Sequence, residues 1–118
     1  MSAYHLELSH TLQAQFGGQL QTFQLTQDAL VCTLINGVVL TMHIATPNAY
    51  SLSWAFEEQI FRIDTAPTHP QLTTHPNHLH HADGRVLADP LTQCGAPVWH
   101  NVTKVMEVIL SDPLLQSP

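Results

Sequence analysis

The sequence contains very little positive charge. Three Lys and Arg residues stand against nine Asp and Glu residues, which gives a formal net charge of −6 when the histidines are neutral. This balance excludes a protein that grips phosphate backbones by general electrostatic attraction. The net charge depends on pH, because the chain has nine histidines and imidazole titrates at about pH 6.5. Mild acid or a bound divalent metal offsets most of the negative net charge. We therefore expect any contact with nucleic acid to be local.

Cysteine and long apolar runs are also scarce. Cys32 and Cys94 are too few for a disulfide framework and form no C-x-x-C pair, so reduced thiols are expected. No segment approaches the roughly 18 apolar residues of a membrane span, and the N-terminus lacks a basic region followed by an apolar run. These absences predict a soluble, cytoplasmic protein without membrane contact. The sequence also lacks Gly-rich phosphate loops and the G-x-S-x-G and H-E-x-x-H motifs.

Periodic apolar patterns predict a helix at each end of a single domain that spans residues 1–118. Apolar residues recur every four positions from Tyr4 to Phe16, and Gly17-Gly18 supplies a stop. Asn101 is the predicted N-cap of the second helix, and Asp112-Pro113 its end. The apolar stripe of this second helix comprises Val102, Val105, Met106, Ile109 and Leu110.

Alternating segments between these helices predict antiparallel strands. The segments are Leu20–Leu25, Ala29–Ile35, Val38–Ile44, Tyr50–Phe56 and Ile60–Asp64. Asn36-Gly37 is expected to join two of them through a type I′ turn. The predicted fold is α+β, an antiparallel meander sheet of four to six strands flanked by an N-terminal and a C-terminal helix. Thr65 to Pro97 contains five prolines and reads as a long, extended loop with one short strand at Arg85–Leu87.

The stretch from Arg62 to His81 holds five of the nine histidines. His78 and His80 point the same way in an extended backbone and are predicted to converge on one ion or phosphate. His75 joins them if the chain turns after it, so His75, His78 and His80 are the predicted metal ligands. The ligand shell is completed by a fourth group among Asp64, His69, His81 and Asp83. Imidazole and carboxylate ligands of this kind suit Zn, Ni, Fe or Mn.

The same histidines also suit phosphodiester cleavage. One imidazole takes a proton from an attacking hydroxyl, the other protonates the leaving oxygen, and Arg62 holds the phosphate. Two plainer interpretations stay open. The histidine-rich loop is a polar surface in a chain that uses few charges, and Arg62 and Asp64 form an ordinary strand ion pair worth about 1 kcal/mol or less.

The order of motifs in the second half of the chain resembles a known family. The residues that carry the resemblance are Tyr50-Ser51, Trp54, Arg62-Ile63-Asp64, Ala66-Pro67, His69-Pro70, Pro76, His78, His80 and the helix from Val102. Together they resemble the TumE-like toxins of bacterial and archaeal toxin–antitoxin pairs. Thr65, Thr68 and Asn77 depart from that pattern, which has asparagine at the first of these positions and histidine at the other two. The resemblance extends from Tyr50 to Leu110.

The resemblance implies a growth-inhibiting toxin that acts on RNA and pairs with a helix-turn-helix antitoxin. The catalytic residues that it implies are Arg62, Asp64, His69, His78 and His80. The alternative is a non-catalytic module that binds a metal or another protein, and a further one is that the histidine loop is the surface bound by the antitoxin.

Overall fold

The computed structural model of the chain describes residues 3–116. Its elements are α1 (Ala3–Phe16), a 3₁₀ turn (Gly17–Gln19), β1 (Leu20–Leu25), β2 (Leu30–Leu34), β3 (Val39–Thr46), β4 (Ala49–Phe56), β5 (Gln59–Asp64), β6 (His78–His80), β7 (Val86–Ala88) and α2 (Val98–Ser111). The strands form one antiparallel sheet in the order β1 to β7, each paired with the next along the chain. The α+β meander with a helix at each end is confirmed. Its seven strands exceed the predicted four to six.

One face of the sheet and the apolar sides of both helices form the core. Trp54 on β4 and Phe61 on β5 stack with ring centroids 5.4 Å apart, and both are 1% exposed. Leu8 and Leu12 of α1 join this core, as does the predicted stripe of α2. Burial of these side chains is the main stabilising contribution to the fold, at about 25 cal/mol per Å² of apolar surface. No helix within residues 3–116 is long and apolar enough to span a membrane.

The predicted type I′ turn at Asn36-Gly37 is wrong. Gly37 has a φ of 92°, but Asn36 does not have the positive φ that a type I′ turn requires at both central residues. Gly37 donates to the carbonyl of Leu34, which gives a three-residue loop with glycine in the left-handed position. Two consecutive positive φ values occur instead at Glu57 and Glu58, 49° and 70°, in the two-residue connection between β4 and β5.

Asn36 leaves the type I′ geometry because its side chain bonds elsewhere. Its amide nitrogen donates to the carbonyls of Ile109 and Leu110, at 3.0 and 3.3 Å, and its amide oxygen accepts from Val38 N–H. The last carbonyls of a helix have no partner within the helix. Asn36 therefore ties the β2–β3 loop to the end of α2.

Asn101 is not the N-cap of α2, because the helix begins three residues earlier, after Pro97. The backbone N–H of Asn101 already donates to the carbonyl of Pro97, four residues before it. Its buried side chain accepts from the N–H of Gln93 and donates to the carbonyl of Gln93. An Asn that looked like a cap instead fixes the preceding loop to the helix.

The segment from Thr65 to Pro97 is not one loop with a single short strand. His78–His80 adds the strand β6 beside β5, and Val86–Ala88 forms β7, close to the strand predicted at Arg85–Leu87. β6 has only one apolar residue, Leu79, which is 2% exposed and packs in the core. Alternation over three residues is too short to recognise, and pairing with β5 is what makes this segment a strand.

The face of the sheet opposite the helices, here called the open face, carries the polar side chains of the alternating strands. Ser51 and Ser53 of β4 lie opposite Asp64 and Arg62 of β5, and these side chains are partly or fully exposed. Alternation places them on the other side from the buried Leu52 and its neighbours. The open face is where the sequence-predicted site residues are found.

Candidate functional site

Two neighbouring strands bring the polar side chains of the site together. In the β5–β6 pairing, Arg62 lies opposite His80 and Asp64 lies opposite His78. The residues between them point into the core, so all four polar side chains project from the open face. The two imidazoles of the H-x-H motif therefore meet a carboxylate and a guanidinium on the adjacent strand.

Asp64 is the centre of the contacts. Its Oδ1 lies 3.0 Å from His78 Nε2 and accepts the backbone N–H of Ala66 at 3.0 Å. Its Oδ2 accepts Arg62 Nε at 2.9 Å and lies 3.4 Å from His80 Nε2. The two Nε2 atoms of the histidines are 3.0 Å apart. We call Asp64, His78 and His80 the histidine–aspartate cluster.

The hydrogen bonding of His78 calls for a positive species in this cluster. His78 Nδ1 lies 3.1 Å from the carbonyl of Pro76, which only accepts, so Nδ1 carries a hydrogen. In neutral His78 the lone pair of Nε2 would then face Asp64 Oδ1, and two facing acceptors repel each other. A second proton on His78, or a metal ion shared by the three side chains, removes this repulsion.

The ligand atoms of the cluster lie close enough together to hold one metal ion. One atom from each of Asp64, His78 and His80 lies within 4.8 Å of the other two, and the closest contacts are 3.0 to 3.4 Å. Nitrogen and oxygen ligands of a tetrahedral zinc ion, at about 2.0–2.1 Å from the metal, are about 3.3 Å apart. The Nδ1–H bond from His78 to a carbonyl is the usual outer support of a metal-binding histidine. Three protein ligands leave a fourth position for water or substrate.

Burial and nearby charges both shift the pKa values of Asp64 and His80. Burial by itself raises the pKa of Asp64, but the Ala66 N–H bond, the Arg62 hydrogen bond and the charges of His78 and Arg62 together lower that pKa below its usual value. Burial lowers the pKa of His80, and the nearby charges of Arg62 and His78 lower it further, against the opposing effect of Asp64. Asp64 is thus kept ionised, and the lowered pKa of His80 favours its neutral form, the form that can accept a proton.

The five histidines of the stretch have different positions. His69 lies against the cluster, with its ring centroid 4.8 Å from that of His78 and 6.3 Å from that of His80. His78 is 1% exposed, whereas the side chain of His80 is 34% exposed. His75 is exposed and is not part of the group of ligand atoms found within residues 3–116. His81 points to the core side, where its ring contacts the edge of Phe61.

His81 and Asp83 do not extend the cluster. Asp83 lies in the turn between β6 and β7, where its carboxylate pairs with Arg85 Nε at 2.7 Å and lies 3.1 Å from His81 Nδ1. The backbone N–H of Asp83 also donates to His81 Nδ1, so that nitrogen is an acceptor. These residues close the turn and have no contact with Asp64 among those found in the described chain.

A buried polar network, which the sequence did not predict, supports the start of β6. Asn77, 1% exposed, donates to Tyr50 Oη at 2.8 Å and to Asp89 Oδ2 at 3.0 Å. Asp89 also accepts the hydroxyl of Thr92 and the backbone N–H groups of Leu91 and Thr92. The sequence signal for this part is the Asp89-Pro90-x-Thr92 turn, in which an aspartate accepts N–H groups two and three residues later.

The network explains one departure from the family pattern. Asn77 stands where the pattern has histidine, and here its amide links three elements of the fold instead of joining the cluster. Another departure, Thr65, has its hydroxyl against the backbone N–H and carbonyl of Tyr50, 3.1 and 3.4 Å away. Both residues hold the backbone on either side of the site.

The fold and this cluster define a small α+β protein with a histidine–aspartate site on the face of an antiparallel sheet opposite the helices. Comparison with known families gives a match to the Toxin TumE family over residues 6–113, which is more than the Tyr50–Leu110 portion that the motifs suggested. The chain belongs to the Toxin TumE family. Membership indicates the toxin component of a toxin–antitoxin pair, and such a toxin implies an antitoxin partner. No curated protein and no solved structure matches the chain.

Proposed function

We propose that this toxin is a ribonuclease whose phosphodiesterase site is formed by Arg62, Asp64, His69, His78 and His80. The observation that carries the proposal is the meeting of two imidazoles, a carboxylate and a guanidinium within hydrogen-bond distance on an accessible face. Imidazole transfers protons near neutral pH, and a guanidinium stabilises a phosphate that gains charge during cleavage.

The solvent exposure of His69, His78 and His80 differs, and we assign each a role on that basis. His80 is accessible and accepts the proton of the attacking 2′-hydroxyl through an imidazole nitrogen. His69, half-buried beside it, protonates the leaving 5′-oxygen. His78 is too buried to reach substrate, and with Asp64 it holds the ring of His80 in place. Arg62 is anchored to Asp64 through Nε, which leaves its terminal nitrogens to bind the phosphate.

The test is cleavage of RNA by purified protein and by single variants. His80→Ala and Arg62→Gln are each expected to lower the rate about 100-fold or more, within the range for loss of a proton-transfer or charge-stabilising group. His100→Ala is the matched control, since His100 is an exposed histidine on α2, outside the cluster. A cleavage rate in His80→Ala equal to that in His100→Ala, or no cleavage by the unaltered protein, would refute the assignment.

The spacing of the ligand atoms favours a second candidate, a divalent metal site that serves binding instead of catalysis. The proposed ligands are Asp64, His78 and His80, which suit Zn, Ni or Mn. Zinc titration of protein purified without a polyhistidine tag should give one equivalent bound, and His80→Ala should abolish binding. His75→Ala separates this set from the one predicted from sequence, because unchanged affinity excludes His75 as a ligand.

We also propose that the protein acts in the cytoplasm, where its RNA substrate is found, and is restrained there by a helix-turn-helix antitoxin. The family match supports a partner of the antitoxin kind. Co-purification with the product of the neighbouring gene tests this. A complex in which His80 becomes inaccessible to diethyl pyrocarbonate would place the antitoxin over the cluster.

A further inference from the structure

The open face presents the site as a small grid of side chains. Ser53, Arg62 and His80 lie opposite one another across β4, β5 and β6, and Ser51, Asp64 and His78 form the next row. The imidazoles therefore lie on one side of Arg62 and the serine hydroxyls on the other. A phosphate held by Arg62 has the proton-transfer groups on its β6 side and the serine hydroxyls on its β4 side.

A shallow, widely open cavity lies at the β4 side of this grid. It has a volume of about 570 Å³ and is lined by Asn48, Ser51, Arg62, Asp64, Thr65 and Ala66, among others. This volume lies within the range of about 300–1,000 Å³ that is typical of ligand sites. The Ser51 hydroxyl has no hydrogen-bond partner among the described residues, and neither do the terminal nitrogens of Arg62. The cavity thus combines an anion-binding group with hydrogen-bonding groups that are free for a ligand.

The positive charge around the cavity is minimal. Of the three Lys and Arg residues in the chain, Arg62 alone lies at the cavity, with its side chain 49% exposed. Arg85 is paired with Asp83 in the β6–β7 turn, and Lys104 lies on the exposed side of α2. A duplex presents two phosphate backbones and keeps its nucleotides stacked, so it gains little from one guanidinium and one cavity. A single strand can turn one nucleotide into the cavity.

We infer that the toxin selects single-stranded RNA by holding one nucleotide in the β4–β5 cavity while Arg62 binds the adjacent phosphate. The strand crosses the sheet from the β6 side to the β4 side, with the phosphate between His80 and Ser53. This inference rests on the proposed ribonuclease function and adds the form of the substrate, its direction across the sheet and the subsite for one nucleotide.

The test is binding of a fluorescein-labelled 2′-O-methyl RNA single strand, which cannot be cleaved through its 2′-oxygen, followed by fluorescence anisotropy. We expect weak affinity, with Kd about 10⁻⁴ M at physiological salt, and a slope of log K against log salt of about −0.7, the value for one phosphate contact by a single strand. Annealing the strand to its complement should weaken binding about tenfold or more. Arg62→Gln should also weaken binding about tenfold and bring the slope close to zero.

Arg85→Gln is the matched control, because Arg85 also pairs with an aspartate two residues away and its loss changes the net charge equally. It should leave affinity and slope unchanged. Ala66→Trp fills the cavity and should abolish binding without altering the cluster side chains. Equal binding of duplex and single strand, or equal effects of Arg62→Gln and Arg85→Gln, would overturn the inference. Arg62-dependent binding by a protein that cuts no RNA would leave the inference standing and reject the proposed function.

Discussion

Replacing Asp64 by Asn tests whether the carboxylate is the electrostatic centre of the site. The amide has nearly the same shape and retains one oxygen, which keeps the bond from Ala66 N–H. It loses the ion pair to Arg62, worth about 1 kcal/mol or less at an exposed arginine, and it weakens the contact with His78 from a charged to a neutral one, worth about another 1 kcal/mol. The free energy of unfolding should therefore fall by about 2 kcal/mol at pH 7.

Urea and thermal unfolding measure this loss. With an unfolding entropy of about 2.1 cal/mol/K per residue, the 118 residues give about 250 cal/mol/K, so 2 kcal/mol corresponds to a decrease in Tm of about 8 °C. The pKa of Asp64 is lowered in the folded protein, so its contribution is present above its unfolded pKa of about 3.9 and is lost as pH falls through the lower folded value. The two proteins should become equally stable in acid.

Asp83→Asn is the control for this prediction. Asp83 pairs with Arg85 as Asp64 pairs with Arg62, but it is exposed in a turn, and the histidine beside it, His81, is only partly buried. Its replacement should change stability little. If Asp64→Asn destabilises the protein no more than Asp83→Asn does, the carboxylate is only an ordinary surface ion pair.

Three further predictions concern the scaffold. Glu58→Gly should stabilise the protein by about 1 kcal/mol in urea unfolding, because Glu58 has a φ of 70° and glycine adopts that conformation without strain; no gain would contradict a strained turn. Ellman's reagent should modify exposed Cys94 in the native protein but modify Cys32 only in denaturant, since burial raises the pKa of Cys32 to about 12; two reactive native thiols would contradict this. Buried His5 accepts the Ile44 N–H, and burial lowers its pKa, so stability should fall as pH drops below about 6.5, the unfolded value, until the folded pKa is reached. His5→Gln should lose that part of the pH dependence, and an unchanged profile would exclude His5 as its source.

The regular part of the fold could be predicted because each element there is long enough to show its period. The eight residues of β4 alternate through three buried side chains, and α2 carries five residues of one stripe. Turn and cap details were less predictable. Asn36 and Asn101 both have the residue type of a local turn or cap signal. However, Asn36 bonds to the end of α2, 73 residues away in sequence, and Asn101 bonds to Gln93 in the loop before α2. Those bonds decide the local conformation.

The residue types of the site could be predicted from the sequence, but their arrangement in space could not. The spacing of His78 and His80 fixes that their side chains share a face once the segment is extended. Which carboxylate they meet depends on the β5–β6 register, in which residue 78 pairs with residue 64 across a connection of 13 residues. No local pattern specifies such a register. His75 shows the converse, since its closeness in sequence to His78 does not bring it into the cluster.

The short length of β6 makes the buried network the determinant of the site. A strand of three residues has few ladder hydrogen bonds to fix its position, and only Leu79 anchors it in the core. Asn77, directly before His78, is held instead by Tyr50 from β4 and by Asp89 from the loop after β7. Unpaired buried polar groups are costly, so these bonds specify one arrangement of the backbone at His78. The arrangement of the cluster thus depends on buried residues outside it.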